Sequence, residues 1–454
     1  MTMSTRGAAA LAATTLTAAV LAVVIVAPTA TEPGQCVPGA ACPGALPGAL
    51  PSATSAPLSP GTVPGTLSSV ASASSASSAG LATPTPGPTP APAARITAAT
   101  PPVVDTSPAG RARAVFATMT RAQRIGQLFM VGNAATGVET STLAAISAYD
   151  IGNVMLRGRS SAGVAATALV SAALARSITT ATGVRAFVAT DEEGGSVRVL
   201  RGPGFDAIPS ALTQGTWSVA GLRTSAKRWG AQLRKAGVNL DLAPVLDVVP
   251  SAAAARLNPP IGAFNREYGY TTTTVSAHGI AFLTGLSASG VDSAVKHFPG
   301  LGRVNENTDT SQSVTDAMTT RGDPYLAPFQ NAVNAGAAFL MVSSAYYSRI
   351  DPKNPAAFSP TIVTGMVRGD LGFRGVVISD DLGNARQVAA WSPGSRAVKF
   401  LAAGGDMVLT VNTALVPAMV KAVAARARTD AAFARLLNAS ALRILTAKAV
   451  RGLL

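Results

Sequence analysis

"SAVKHFPGLGRVNENTDTSQ" fills residues 293–312. Its first six residues are a short apolar run closed by a Lys–His pair; a Pro-Gly turn and a polar loop follow. The run has no clean apolar/polar alternation, so it reads as a strand buried on both faces, as in a parallel sheet. The same pattern recurs along the chain. Similar runs are QLFMVG at 127–132, NVMLRG at 153–158, RAFVATD at 185–191 and VNLDLAPV at 238–245. After 293–298 come AFLMVSS at 338–344, GVVISDD at 375–381 and DMVLTV at 406–411. Ala-rich helical stretches separate them, such as ETSTLAAISAYD at 139–150 and SAKRWGAQLRKAG at 225–237. Eight strand–helix units predict an α/β fold, a (β/α)8 TIM-like barrel; a doubly wound open sheet is the alternative. The polar residues favour the barrel. Asp191, Lys296–His297 and Asp380 close different strands, and barrel active sites assemble at the C-terminal strand ends. In SPTIVTGMVRGDLGF, 359–373, Ser359 is placed to cap a helix, with Pro360 at its first position and Gly372 at its stop.

The region before the first strand is different. Residues 1–30 combine Arg6 with an uncharged apolar run of about 20 residues, which predicts an export signal or an N-terminal membrane anchor. Residues 31–108 are Pro, Ala, Ser, Thr and Gly with almost no charge. Such a segment buries too little to offset its ordering entropy and predicts a disordered tether. Cys36 and Cys42 both fall there; without a lipobox they suit a small exported disulfide loop better than lipidation. One folded domain is expected over residues 109–454. The net charge of +14 sits on that part, because Arg6, Arg95, Glu32 and Asp105 cancel. Arg-rich codon usage and attraction to anionic envelope polymers both account for it; no nucleic-acid motif accompanies it.

The chemistry narrows by elimination. Only two histidines are present, His278 and His297, far apart and without nearby cysteine, so no metal centre is expected. No G-x-S-x-G elbow supports a serine hydrolase. GLGRVN has Asn305 where a dinucleotide loop needs its third glycine. Carboxylates backed by cations remain, the equipment of glycoside hydrolysis, which needs no cofactor.

The folded region resembles glycoside hydrolase family 3, in its single-domain bacterial β-N-acetylhexosaminidase branch. IGQLFMVG is similar to the family's first strand, ATDEEGG to its D-x-E-G-G motif, LAPVLDV to its fourth strand, KHFPGLG to its KHFPGHG signature and GVVISDDL to its nucleophile strand. The resemblance makes Asp380 the nucleophile of a covalent glycosyl-enzyme. It makes Asp191, Lys296, His297 and, in REYG, Arg266 substrate-binding residues. It implies an exported, monomeric enzyme of peptidoglycan turnover, acting on a carbohydrate substrate. His278 reads as structural.

Two positions depart from the family. The arginine expected eight residues after the Asp of D-x-E-G-G is Val199; Arg198 and Arg201 are candidates to replace it. The second signature histidine is Leu301, and the loop RVNENTDTSQ, which in the family carries a His acid/base, has none. Asp309 is then the leading candidate for proton transfer and Glu306 the second. A non-catalytic or weakly active glycan-binding protein on the same barrel is the alternative function.

Overall fold

The computed structural model describes Gly87 and residues 105–454. The chain divides into two units, Met1–Arg95 and Ile96–Leu454, and the fold is that of the second. The leader, both cysteines and the tether through residue 104 lie outside the described residues, Gly87 excepted. The first helix, Pro108–Thr118, starts one residue inside the stretch assigned to the linker. Ser107 accepts a hydrogen bond from the Gly110 N–H at 3.0 Å and Pro108 takes the first turn, where its missing N–H costs nothing.

Eight parallel strands close into a barrel. In chain order they are β1 (Phe129–Ala134), β2 (Asn153–Arg157), β3 (Phe187–Thr190), β4 (Leu240–Asp241), β5 (Asp292–Phe298), β6 (Phe339–Val342), β7 (Val376–Asp381) and β8 (Met407–Thr410). Each pairs with its sequence neighbours, and β8 returns to β1, which removes the open-sheet alternative. β4 is short, and beyond it pairing resumes at an isolated bridge between Val245 and Lys296, past Pro244, which has no N–H to donate. Helices on the outside make the crossovers, among them Val219–Lys235, capped by Ser218, and Thr272–Ser287, capped by Thr271. Ser359 does cap its segment, accepting from the Ile362 N–H at 3.2 Å, and Gly372 turns the chain with φ +62°. The segment between, Thr361–Asp370, winds as a π-helix rather than an α-helix.

Most buried strand residues are apolar. Phe187 on β3 and Phe339 on β6 meet edge-on at 5.0 Å near the N-terminal strand ends, so the barrel is a packed core. Two ladders slip by one residue at their C-terminal ends. Between β5 and β6 the register shifts from Val295↔Leu340 to Phe298↔Val342, bracketing Lys296–His297. Between β7 and β8 it shifts from Ile378↔Met407 to Asp381↔Leu409, bracketing Asp380. A bulge of this kind re-aims the side chains it carries.

The final helix, Ala431–Val450, brings Lys448 against the N-terminal strand ends. Lys448 is fully buried, donating to Gln127 Oε1 at 2.7 Å and the Gly152 carbonyl at 3.0 Å, and no carboxylate partners it among the described residues. Burial pushes its ammonium down from 10.5 to about 7. Between those two values the unfolded chain binds the extra proton, so folding stability rises with pH across the window. The melting temperature of wild type should therefore climb relative to Lys448→Met between about pH 7 and pH 10. Parallel thermal melts would check this, and a difference constant with pH would refute it.

Candidate active site

The site is built around Glu193, a carboxylate reached by a tight turn after β3. Gly194 sits at φ +109°, and a Cβ there would meet the Pro209 carbonyl oxygen at 2.0 Å, so only glycine lets the chain pass. The turn delivers Asp191 to the cavity and Glu193 to its base. Arg266 grips Glu193 with two bonds, Nε–Oε2 and Nη2–Oε1, each 2.7 Å. Lys296 Nζ lies 2.6 Å from Glu193 Oε1 and 2.7 Å from Asp191 Oδ1. Burial opposes the charge on Glu193, but Arg266 and Lys296 outweigh it and hold its carboxyl at about 2. Burial likewise opposes the charge on Lys296, and Asp191 with Glu193 reverses that and raises its pKa.

His297 is held from both sides. Nδ1 lies 2.6 Å from Asp247 Oδ2, and Nε2 lies 3.3 Å from Arg266 Nη2. A guanidinium only donates, so Nε2 accepts and Nδ1 carries the proton toward Asp247. Asp247 also takes the N–H groups of His297 at 3.1 Å and Leu301 at 2.9 Å, fixing the turn after β5. With both ring nitrogens engaged, the imidazole orients other groups and has no free lone pair for a reacting atom. His278 is no closer to chemistry: its nitrogens sit 2.9 Å from the Thr274 and Trp217 carbonyl oxygens.

Asp380 ends β7 beside this cluster. Among the described residues its carboxylate receives the N–H of Asp381 at 2.8 Å and forms no ion pair. The neighbouring Asp381 does the structural work of the turn, accepting from Gly383 N–H at 2.8 Å, Val411 N–H at 3.0 Å and Asn384 N–H at 3.1 Å. The two adjacent aspartates thus differ: the Asp381 carboxylate is spent on backbone N–H groups, while that of Asp380 forms no ion pair among the described residues. Across the cavity, Asp309 stands in the loop after β5. Its outer surface is open to solvent, yet the cavity walls crowd it. That desolvation first, and then the charge of Asp380, push its carboxyl up to about 6, with Arg266 pulling the other way.

Asp191, Arg266, Lys296, His297, Asp309 and Asp380 all line one cavity of about 470 Å³ at the C-terminal ends of the strands. Two expected residues are not brought there. Arg198 does not line it: its guanidinium is spent on Glu192 at 3.3 Å and on the carbonyls of Leu200 at 3.1 Å and Asp206 at 2.6 Å. The antiparallel pairing of Val197–Arg198 with Glu192–Gly194 sets it opposite Glu192, away from the opening. Glu306 is exposed and is not in the cavity wall either. Sequence reasoning passed over Glu193 and Asp247, although both stood inside quoted motifs. It also passed over Arg159, after β2, which lines the cavity and has one partner among the described residues, the Ser196 carbonyl at 3.2 Å. Among the described residues, no three His, Cys, Asp or Glu side chains are grouped to hold a metal ion.

A closed barrel with carboxylates facing one another over a polar, cation-braced cavity defines a carbohydrate-cleaving enzyme of the glycoside hydrolase class. Residues 120–447 match the glycosyl hydrolase family 3 N terminal domain, and the chain belongs to that family. It is 34% identical over 263 residues to a beta-hexosaminidase of Stenotrophomonas maltophilia (strain R551-3), covering 56% of this chain and 76% of that protein. Its structure is similar to the beta-N-acetylhexosaminidase of Beutenbergia cavernae DSM 12333, with TM-score 0.72 and 51% identity over 73% of this chain and 98% of that one. A family 3 beta-N-acetylglucosaminidase from Paenibacillus sp. str. FPU-7 follows at TM-score 0.69 and 28% identity, covering 74% of this chain and 63% of that one. The chain is therefore an enzyme, and the non-catalytic alternative gives way.

Glu193→Gln keeps the shape of the hub and removes its charge. It leaves Lys296 and Arg266 buried with one carboxylate too few, and losing one partner of such a cluster costs about 3–5 kcal/mol. The variant should melt well below wild type and lose substrate affinity. Calorimetry with a binding titration would check both, and an unchanged melting temperature would show that the hub is not needed for folding.

Proposed function

We propose that this β-hexosaminidase of family 3 is an exported, retaining exo-β-N-acetylglucosaminidase. It removes terminal N-acetylglucosamine from peptidoglycan fragments, and it works as a monomer tethered or released by its N-terminal segment. One observation carries the mechanism: Asp309 and Asp380 share a cavity in which no imidazole is free. In the first step an Asp380 oxygen bonds to the anomeric carbon as the glycosidic C–O bond breaks. The departing oxygen keeps the electron pair and takes the Asp309 proton. In the second step Asp309 removes a proton from water, whose oxygen displaces Asp380 from the sugar. A carboxyl held near 6 can serve both steps in weakly acidic surroundings, protonated for one and ionised for the other. Asp191, Lys296 and Arg266 present acceptors and donors to the hydroxyls of the sugar held at the cavity base, and His297, bound to Asp247 and Arg266, fixes the wall behind them.

Arg159 supports the substrate class. It is exposed on the cavity wall, with its guanidinium free of carboxylates among the described residues. A substrate with a carboxylate beyond the cleaved sugar, as in muramyl-containing fragments, gives that charge a partner; a neutral chitin fragment does not. The apolar run before residue 30 supports export.

Nitrophenyl β-N-acetylglucosaminide should be turned over and the β-glucoside much less. Asp380→Asn should lose nearly all of kcat while its melting curve is kept; more than a tenth of wild-type kcat would remove Asp380 from the role. A slow fluorinated glycoside should leave a sugar adduct on the Asp380 peptide by mass spectrometry, and hydrolysis with inversion would exclude the covalent route.

The pH profile tests Asp309. Its protonated form is lost as pH rises through about 6, so kcat/KM of wild type should fall on the alkaline side with that midpoint. Asp309→Asn should slow natural disaccharides about 10²–10⁴-fold, nitrophenyl substrates far less, and be rescued by azide. Equal losses on both substrate types, without rescue, would leave Asp309 a loop-shaping residue only.

A further inference from the structure

We infer that Gln387 is a positioning residue for proton transfer, clamping the Asp309 loop to the loop that follows the nucleophile strand. The inference rests on the reading of Asp309 as acid/base.

Gln387 lies on the short helical turn Arg386–Val388, seven residues beyond Asp380, and is 3% exposed. It makes three hydrogen bonds to the opposite loop. Its backbone N–H donates to the Thr308 carbonyl at 3.0 Å. Its side-chain Oε1 accepts from the Val314 N–H at 2.9 Å, and its Nε2 donates to the Val314 carbonyl at 3.3 Å. Next to it, the Arg386 N–H donates to the Asp309 carbonyl at 3.2 Å. The loop is thus held by its backbone at Asp309 itself and again five residues on. Neither anchor uses the Asp309 carboxyl, which stays free for substrate.

Both sides of the clamp are stiff. On the nucleophile side, Asp381 closes its turn, and the Arg396 guanidinium donates to the carbonyls of Leu382 at 2.9 Å, Gly383 at 2.8 Å and Trp391 at 2.8 Å. On the acid side, Asn258 Nδ2 donates to the Leu301 and Val304 carbonyls at 2.8 and 2.7 Å, and Asn307 Oδ1 accepts from the Asp309 N–H at 2.9 Å. The span between Val304 and Val314 is then fastened at two places: the backbone N–H groups of Arg386 and Gln387 hold Asp309 and Thr308, and the Gln387 side chain closes the far end at Val314. A primary amide offers, whatever the pH, both the donor and the acceptor that pair with one residue's N–H and C=O, as a neighbouring strand would.

The test is Gln387→Leu in the full-length protein, assayed with a β-N-acetylglucosaminyl disaccharide and with the nitrophenyl glycoside. The disaccharide leaves as an alkoxide and needs the proton; nitrophenolate hardly does. We expect kcat on the disaccharide to fall about tenfold or more, with the nitrophenyl rate changed by less than about threefold and KM within about twofold. Gln387→Glu is the companion variant. Protonated, its carboxyl restores both a donor and an acceptor for Val314, so its disaccharide rate relative to wild type should recover as pH falls. Equal loss on both substrates, or no loss on either, overturns the clamp. If Asp309→Asn shows no leaving-group dependence while wild type is active, the acid assignment itself has failed and the clamp falls with it.

Discussion

The site depends on one buried carboxylate. Glu193 takes three charge-assisted contacts, two from Arg266 and one from Lys296, in a place with almost no water. Uncompensated, any of these charges would be costly to bury. Together they fix one another: Lys296 is buried, and Asp191 and Arg266 keep part of their side chains open toward the cavity. The same cluster settles the histidine. Because Arg266 donates toward Nε2, the imidazole proton is driven to Nδ1 and Asp247, and the only imidazole at the cavity becomes a fixed part of its wall.

The barrel supplies the positions and two local irregularities supply the aim. An unbroken parallel ladder would send alternate residues at the ends of β5 and β7 into the barrel or toward the helices. The single-residue slips at Lys296–His297 and at Asp380 break that alternation where it matters. They let consecutive polar residues lie on the cavity side or brace its edge. The cost in lost ladder bonds is local, since Asp247 and Asp381 take up freed backbone N–H groups in the same turns.

Much of this was legible in the sequence. All eight strands lie within or overlap the apolar runs that announced them, because a strand buried on both faces needs a run of large apolar residues whatever surrounds it. The residues that end those runs, Asp191, Lys296, His297 and Asp380, were found for the same reason. What could not be read was pairing at long range. Glu193 finds Arg266 across 73 residues and His297 finds Asp247 across 50, and no local pattern encodes either. Arg198 was misplaced because its direction depends on the register of a two-residue ribbon, where one step swaps solvent for support. Which of Asp309 and Glu306 lines the cavity depends on how one loop turns, and that is fixed by bonds to a segment some eighty residues further on.

On the proposed mechanism a carboxyl, not an imidazole, carries the proton, and that changes what the protein around it must do. An imidazole titrates near neutrality unaided. A carboxyl in water is ionised there and holds no proton to give. It needs surroundings that disfavour its charge, and the cavity supplies two: walls that crowd one side of it and strip part of its hydration, and the like charge of Asp380. Both depend steeply on position, since a like-charge effect fades with distance and solvent weakens it further. A carboxyl on a loose loop would sample positions far from Asp380 and lose its proton in each of them. With Asp309 in the proposed role, its loop must be held against the loop that follows Asp380, and the backbone bonds from Arg386 and Gln387 to Asp309 and Thr308, with the Gln387 side chain on Val314, provide that hold.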